Sequence, residues 1–338
     1  MNGRRFVVSL ACLCVLALGA AFATQQLPET AAIGAPTGNR ILRSAENFLA
    51  ALSEGDRKRA IFEFSDDERF NWHFIPRSRK GVVLLALDED TQALARALLR
   101  ASLSELGFRK AEDVRFLEGV LRELEGETRR FARDPLLYHV SIFGQPSATS
   151  RWGWRFEGHH FSANFTLDGS RLISSTPIVY GANPALVRHG PRKGLRLLAA
   201  EEDAARELVK SLTDAQRKAC LGDDVPQEVP DTTKPVYGSA LPSGVAASDL
   251  NDGAKATLRS LLRTYRNYLV EDAGVGLDPG DLDGVHFAWR GGLEMGEGHS
   301  YIVHSPRWVI NYSNVQNNAY HIHASLREIK TDFGQPAP

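Results

Sequence analysis

The sequence predicts an α+β protein, built as a tandem duplication of one unit with helices first and antiparallel strands after. Segments with apolar residues at helical spacing and segments that alternate apolar with polar residues come in separate runs, which favours α+β over a doubly wound sheet. That order of runs occurs twice along the 338 residues. Matching blocks also recur in sequence. Ala45–Glu54 leading to Arg57-Lys58-Arg59 is answered by Ala205–Asp214 leading to Arg217-Lys218. Gly81-Val82 before Arg96-x-Leu98-Leu99-Arg100 is answered by Gly244-Val245 before Arg259-x-Leu261-Leu262-Arg263. His139 precedes Asn164 by the same 25 residues that separate His286 from Asn311.

Taken in order, residues 1–23 read as a signal peptide: Arg4 and Arg5, an apolar run from Phe6 to Gly19, then Ala21-Phe22-Ala23 as a small-x-small cleavage site. Residues 24–39 read as a disordered leader. The first repeat, 40–191, is expected to form helices over 41–60, 89–106 and 111–132, then strands over 138–143, 152–168 and 171–180, with a hairpin turn at Asp168-Gly169. The second repeat, 192–338, packed with the first, is expected to form helices near 199–218 and 251–270 and strands near 284–291, 299–304, 307–314 and 320–328. Residues 222–244 carry four prolines and read as an irregular connection.

Removal of residues 1–23 changes the formal charge from −1 to −3, since it removes two arginines and no acids. A near-neutral chain without a sustained basic run excludes nucleic acid as the expected partner. No second apolar stretch could span a bilayer, so the processed chain is expected in the periplasm or outside the cell, without stable membrane insertion. Of three cysteines only Cys220 survives processing, which rules out an intramolecular disulfide.

The densest chemistry lies near the C-terminus. From Tyr320 the chain alternates strictly, with Tyr320, Ile322, Ala324 and Leu326 apolar and His321, His323, Ser325 and Arg327 polar. A period of two describes a half-buried strand and puts both imidazoles on one face, roughly 6–7 Å apart at their Cα atoms. Such a pair can chelate a divalent, zinc-like ion or orient an anionic small molecule. Two histidines are too few for zinc, so His160 or Asp332 is expected to complete the set. Residues 160–166 alternate as well, with His160, Ser162, Asn164 and Thr166 on one face. Arg327, Asn311, Asn164, His159 and Trp154 are the expected ligand contacts. There is no G-x-S-x-G elbow, P-loop or H-E-x-x-H.

Several segments together resemble the exported bacterial and fungal proteins grouped as domain of unknown function 3500. They include Arg133-Asp134-Pro135-x-x-Tyr138, Trp152-Gly153-Trp154 through His159-His160, Gly181-Ala182-Asn183-Pro184, and Asn314-x-Gln316-Asn317 with His321-Ile322-His323 and Asp332-Phe333-Gly334. The resemblance covers almost all of the mature chain and implies no activity. It implies acidic residues where this chain has Asn311 and Ser313, and so a weakened metal site. Two functions follow from these residues. One is a metal-assisted hydrolase or lyase in which Arg327 neutralises developing oxyanion charge. The other is a non-catalytic module that holds a small molecule or glycan against Trp152, Trp154 and Trp308.

Overall fold

A computed structural model describes residues 36–128 and 130–335. The expected signal peptide and residues 24–35 of the expected leader lie outside the described residues. The last three leader positions, Thr37–Asn39, belong instead to the first turn of helix α1 (Thr37–Ala51), where Thr37 and Gly38 are already buried. The apolar stripe Ile41, Ala45, Phe48 and Leu49 buries one face of that helix and carries its register back to Thr37.

Helix α2 (Glu54–Ala60) is separate from α1, because Ser53 caps it by accepting from the Asp56 amide. The expected single helix over 41–60 is thus broken at 52–53. A similar break separates α5 (Ala199–Ser211) from α6 (Asp214–Cys220), where Thr213 and Gln216 form a capping box. Helices α3 (Glu89–Ser102) and α7 (Asp252–Arg266) begin on Asp88 and Asn251 caps. Helix α4 (Glu105–Glu125) starts on Ser104, six residues before the position the sequence pattern indicates, and stops at Gly126, which has φ 55°.

Among the described residues twelve strands form one sheet: β1 (Ile61–Phe62), β2 (Val82–Val83), β3 (His139–Phe143), β4 (Arg151–Gly158), β5 (Phe161–Asp168), β6 (Arg171–Ser174), β7 (Ile178–Ala182), β8 (Val245–Ala246), β9 (His286–Gly291), β10 (His299–His304), β11 (Trp308–Gln316) and β12 (His321–Glu328). The order along the sheet is β1-β3-β4-β5-β7-β12-β11-β10-β9-β8, with β2 on β3 and β6 on β5. Each half of the chain supplies one half of the sheet, and β7 meets β12 antiparallel at the seam. Asn164 sits on β5 in register with Arg155, and Asn311 sits on β11 in register with Ile302. Both strands flank the seam pair. Gly81 and Gly244, with φ of 90° and 55°, each lie just before an edge strand, pressed against the backbone of β3 and β9 respectively.

The two faces of the sheet differ in chemistry. Ile322, Ala324 and Leu326 of β12 join Ile178 and Tyr180 of β7 and Phe161, Ala163 and Phe165 of β5 in the main core beneath the helices. The intervening residues face two irregular segments, 63–80 and 222–244. These contribute Trp72, Phe74, Val229 and Tyr237 to two smaller clusters. Buried ion pairs occupy much of this second face, including Arg155 with Glu68 at 2.7 Å and Arg327 with Asp332 at 2.6 Å. Among the described residues no helix is long and apolar enough to cross a membrane.

Candidate metal centre

The expected strand over 152–168 is two strands. Gly158 pairs with Phe161, so His159 and His160 are the two-residue tip of a hairpin. His160 has φ 63°, a left-handed conformation uncommon outside glycine and concentrated at functional sites. It is therefore off the regular strand, but its ring lies against Gly181 and His323, on the same side of the sheet as Ser162, Asn164 and Thr166. The tip is fixed from three sides. The His160 amide donates to the Phe74 carbonyl (2.8 Å), the Gly181 amide donates to the His160 carbonyl (2.7 Å), and the Tyr138 hydroxyl donates to the His159 carbonyl (2.6 Å). Gly181 on β7 lets the His160 ring lie against the strand, since a Cβ there would sit 3.0 Å from that ring.

The seam then brings β12 beside the tip. His323 pairs with Gly181, and His321 follows a turn in which Asn317, Asn318 and Ala319 all have positive φ. His160 Nε2 stands 2.7 Å from His321 Nε2, and the His321 and His323 rings are 4.7 Å apart at their centroids. His160, His321 and His323 each present a ligand atom within 4.8 Å of the others. A second cluster, Glu118, His159 and His160, meets the same criterion and shares His160.

Protonation distinguishes the two clusters. Burial, reinforced by the neighbouring imidazoles, pushes His160 well below the usual histidine range, and burial followed by His323 pushes His321 down to about 3. Both rings are therefore neutral at pH 7 and carry lone pairs. His323 Nδ1 lies 2.8 Å from a Glu228 oxygen. Burial alone would raise the Glu228 carboxyl, but the His323 hydrogen bond and the Val229 amide leave it below its ordinary value, hence ionised. An ionised acceptor fixes the proton on His323 Nδ1 and leaves its Nε2 free to ligate, the carboxylate–histidine arrangement of many metal sites.

In the second cluster, burial pushes the Glu118 carboxyl up to about 8. One of its oxygens lies 2.6 Å from His159 Nδ1, and the Arg133 guanidinium, which can only donate, lies 3.1 Å from the same nitrogen. A protonated acid and a histidine nitrogen already accepting from a cation make poor ligands. The three-histidine set is the better cation site.

The other expected site residues are placed elsewhere. Asp332 belongs to neither cluster among the described residues: Arg327 Nε takes one oxygen at 2.6 Å and the Glu328 amide the other at 2.9 Å, so the carboxylate serves a buried ion pair. Arg327 itself is fully buried, with further bonds to the Asp231 and Lys234 carbonyls, and cannot reach out to an oxyanion. Trp154 stacks on Phe165 at 4.9 Å in the main core, and Trp152 and Trp308 are buried there too, leaving no ring of the three to hold a sugar. Asn164 donates to the Pro177 carbonyl, whereas Asn311 is buried with both amide atoms unpaired. His159 lies next to the cluster but faces Glu118. Glu228 and Glu118 were not legible as site residues, one lying in a proline-rich connection and the other in an ordinary helix pattern. No local motif marks either.

The model of a family described as "Protein of unknown function (DUF3500)" matches residues 35–335. No curated protein and no solved structure gave a significant match.

Proposed function

The chain belongs to that family of unknown function, and from the seam of its sheet we propose that it holds a divalent, zinc-like ion on His160, His321 and His323. The convergence of three imidazoles, one backed by the Glu228 carboxylate, is the observation that carries this reading. A tetrahedral ion with nitrogen ligands at about 2.0–2.1 Å needs those nitrogens roughly 3.3 Å apart, so the 2.7 Å pair has to open by about half an ångström. Three histidines leave a fourth position for water, the coordination of hydrolytic rather than structural zinc. We assign the protein to metal-assisted hydrolysis on that ground. Asn311 and Ser313 do not weaken the case as the family resemblance implies, because Glu228 supplies a carboxylate from the opposite segment.

The reading extends to origin and compartment. The halves are taken as copies of one ancestral unit, supported by the sheet order, the matched Asn164 and Asn311, and the paired glycines before the edge strands. Experimental coordinates in which the halves fail to superpose with Asn164 on Asn311 would remove that support. Export, with a mature end near Thr24, rests on the N-terminal sequence alone. Mass spectrometry of the cellular product decides it.

Calorimetry with Zn²⁺, Cu²⁺ and Mn²⁺ tests the metal site. Wild type should show one saturable site, and His321→Ala/His323→Ala should show none. Equal heats from both proteins would mean that the histidines only hydrogen-bond one another.

A further inference from the structure

Helix α4 carries two apolar stripes. One, with Phe108, Ala111, Val114, Leu117 and Leu121, is buried in the main core. The other, Phe116, Val120 and Leu124, repeats every fourth residue on a different side. It lines a half-open cavity of about 880 Å³, together with residues 187–192 and Tyr320. Phe116 and Val120 are only half-buried, and Leu124 is 57 % exposed. The cavity lies within the size range of small-molecule sites, about 300–1,000 Å³.

Between the second-stripe residues stands Gly119. A Cβ built there meets no atom within 4 Å, so no neighbouring part of the protein requires glycine. Glycine inside a helix costs about 1 kcal/mol relative to alanine. Here its visible effect is to deepen the cavity wall.

The rim is cationic. Arg96, Arg115, Arg122, Arg188 and Arg192 line the cavity. Glu112 pairs with Arg96 and Arg115, each at 2.6 Å, and Asp113 pairs with Arg192 at 2.6 Å. Arg122 and Arg188 have no carboxylate partner among the described residues. The Arg188 guanidinium is held over the Tyr320 ring at 4.5 Å, and the Tyr320 hydroxyl donates to the Leu186 carbonyl, which orients the ring. Glu123 is the remaining lining acid. Five guanidiniums and two carboxylates, Glu112 and Glu123, therefore line the cavity beside its apolar residues, with Asp113 pairing Arg192 from outside the lining.

We propose that this cleft binds an amphipathic organic monoanion, with a carboxylate on Arg188 and a hydrocarbon or aryl body over Phe116 and Val120 past Gly119. Charge selects the head group, because a planar guanidinium matches a carboxylate through two parallel hydrogen bonds. The glycine gap admits the tail. The site is independent of the histidine centre and stands whether or not that centre holds a metal.

The test is titration of decanoate into the full-length, EDTA-treated protein, with decanol and decyltrimethylammonium as controls. Wild type should bind decanoate saturably at one site and bind both controls at least tenfold more weakly. Gly119→Leu should weaken decanoate at least tenfold while its melting temperature stays level or rises, because the added side chain enters open space. Arg188→Glu should weaken decanoate by a similar factor and leave decanol unchanged. Zinc titration of Gly119→Leu should match wild type, which separates the cleft from the histidines. Absence of saturable binding, equal affinity for the three probes, or wild-type affinity in Gly119→Leu would each overturn the proposal.

Discussion

At the scale of single residues the centre depends on proton placement as much as on distance. Glu228 holds the proton of His323 on Nδ1, so the ring offers Nε2 to a cation. Glu228 is itself fixed by the Val229 amide at 2.9 Å and the Gln316 side chain at 2.7 Å. Glu228→Gln keeps the size of the side chain but loses the charge that fixes the tautomer. Metal affinity should fall by about 10–100-fold, the usual cost of losing such a partner. Thermal stability without metal should change little, because the Glu228 side chain is 40 % exposed. Competition with a chromophoric chelator measures the first and a melting curve the second. An unchanged affinity would show that Glu228 is not the residue that orients His323.

At the scale of elements the geometry of the histidine cluster comes from two turns. The His159-His160 tip is held by Phe74, Gly181 and Tyr138, and the left-handed run Asn317–Ala319 sends His321 back toward it. Neither turn contains a glycine at its strained positions, so each relies on contacts from elsewhere. Helix α4 behaves differently, since Gly119 relaxes rather than strains it. Gly119→Ala should stabilise the protein by about 0.5–1 kcal/mol, through helix propensity and a less flexible unfolded chain. A urea denaturation midpoint shifted upward at constant slope checks this. Destabilisation would mean that the space beside Gly119 is filled in solution.

At the scale of the whole molecule, burial of neutral histidines couples stability to pH. Burial, followed by Arg77 and Arg79, pushes His73 down to about 4, and burial followed by Arg79 does the same to His139. In the unfolded chain both titrate near 6.5. Between pH 6.5 and 4 the unfolded state therefore binds protons that the native state does not, so stability falls as pH falls through that window. Glu118 acts in the opposite sense. Its folded value of about 8 against about 4.5 unfolded means that its contribution falls as pH rises from 4.5 to 8. The metal-free protein should lose urea resistance from pH 6.5 to 4, and Glu118→Gln should flatten the decline between 6.5 and 8. A flat midpoint from pH 6.5 to 4 would show that these histidines are hydrated in solution.

Periodicity made much of the fold legible. The alternation from Tyr320 to Leu326 determined that His321 and His323 share a face, and strand geometry required that result locally. Helix-then-strand order likewise determined the α+β class. Helix breaks at Ser53 and Thr213 were harder to read, because apolar spacing continues across a cap. The identity of the third histidine's partners depended on which strands became neighbours. Pairing of β7 with β12 joins residues 140–148 positions apart, and only that seam sets His160 beside His321, 161 positions further along the chain. Glu228 reached His323 because segment 222–244 folds over the sheet, and Asp332 was withdrawn because the buried Arg327 charge required a counter-ion. Sequence carries local period and composition. Long-range pairing and the neutralisation of buried charge are properties of the packed chain, and they decided which of the candidate ligands meet.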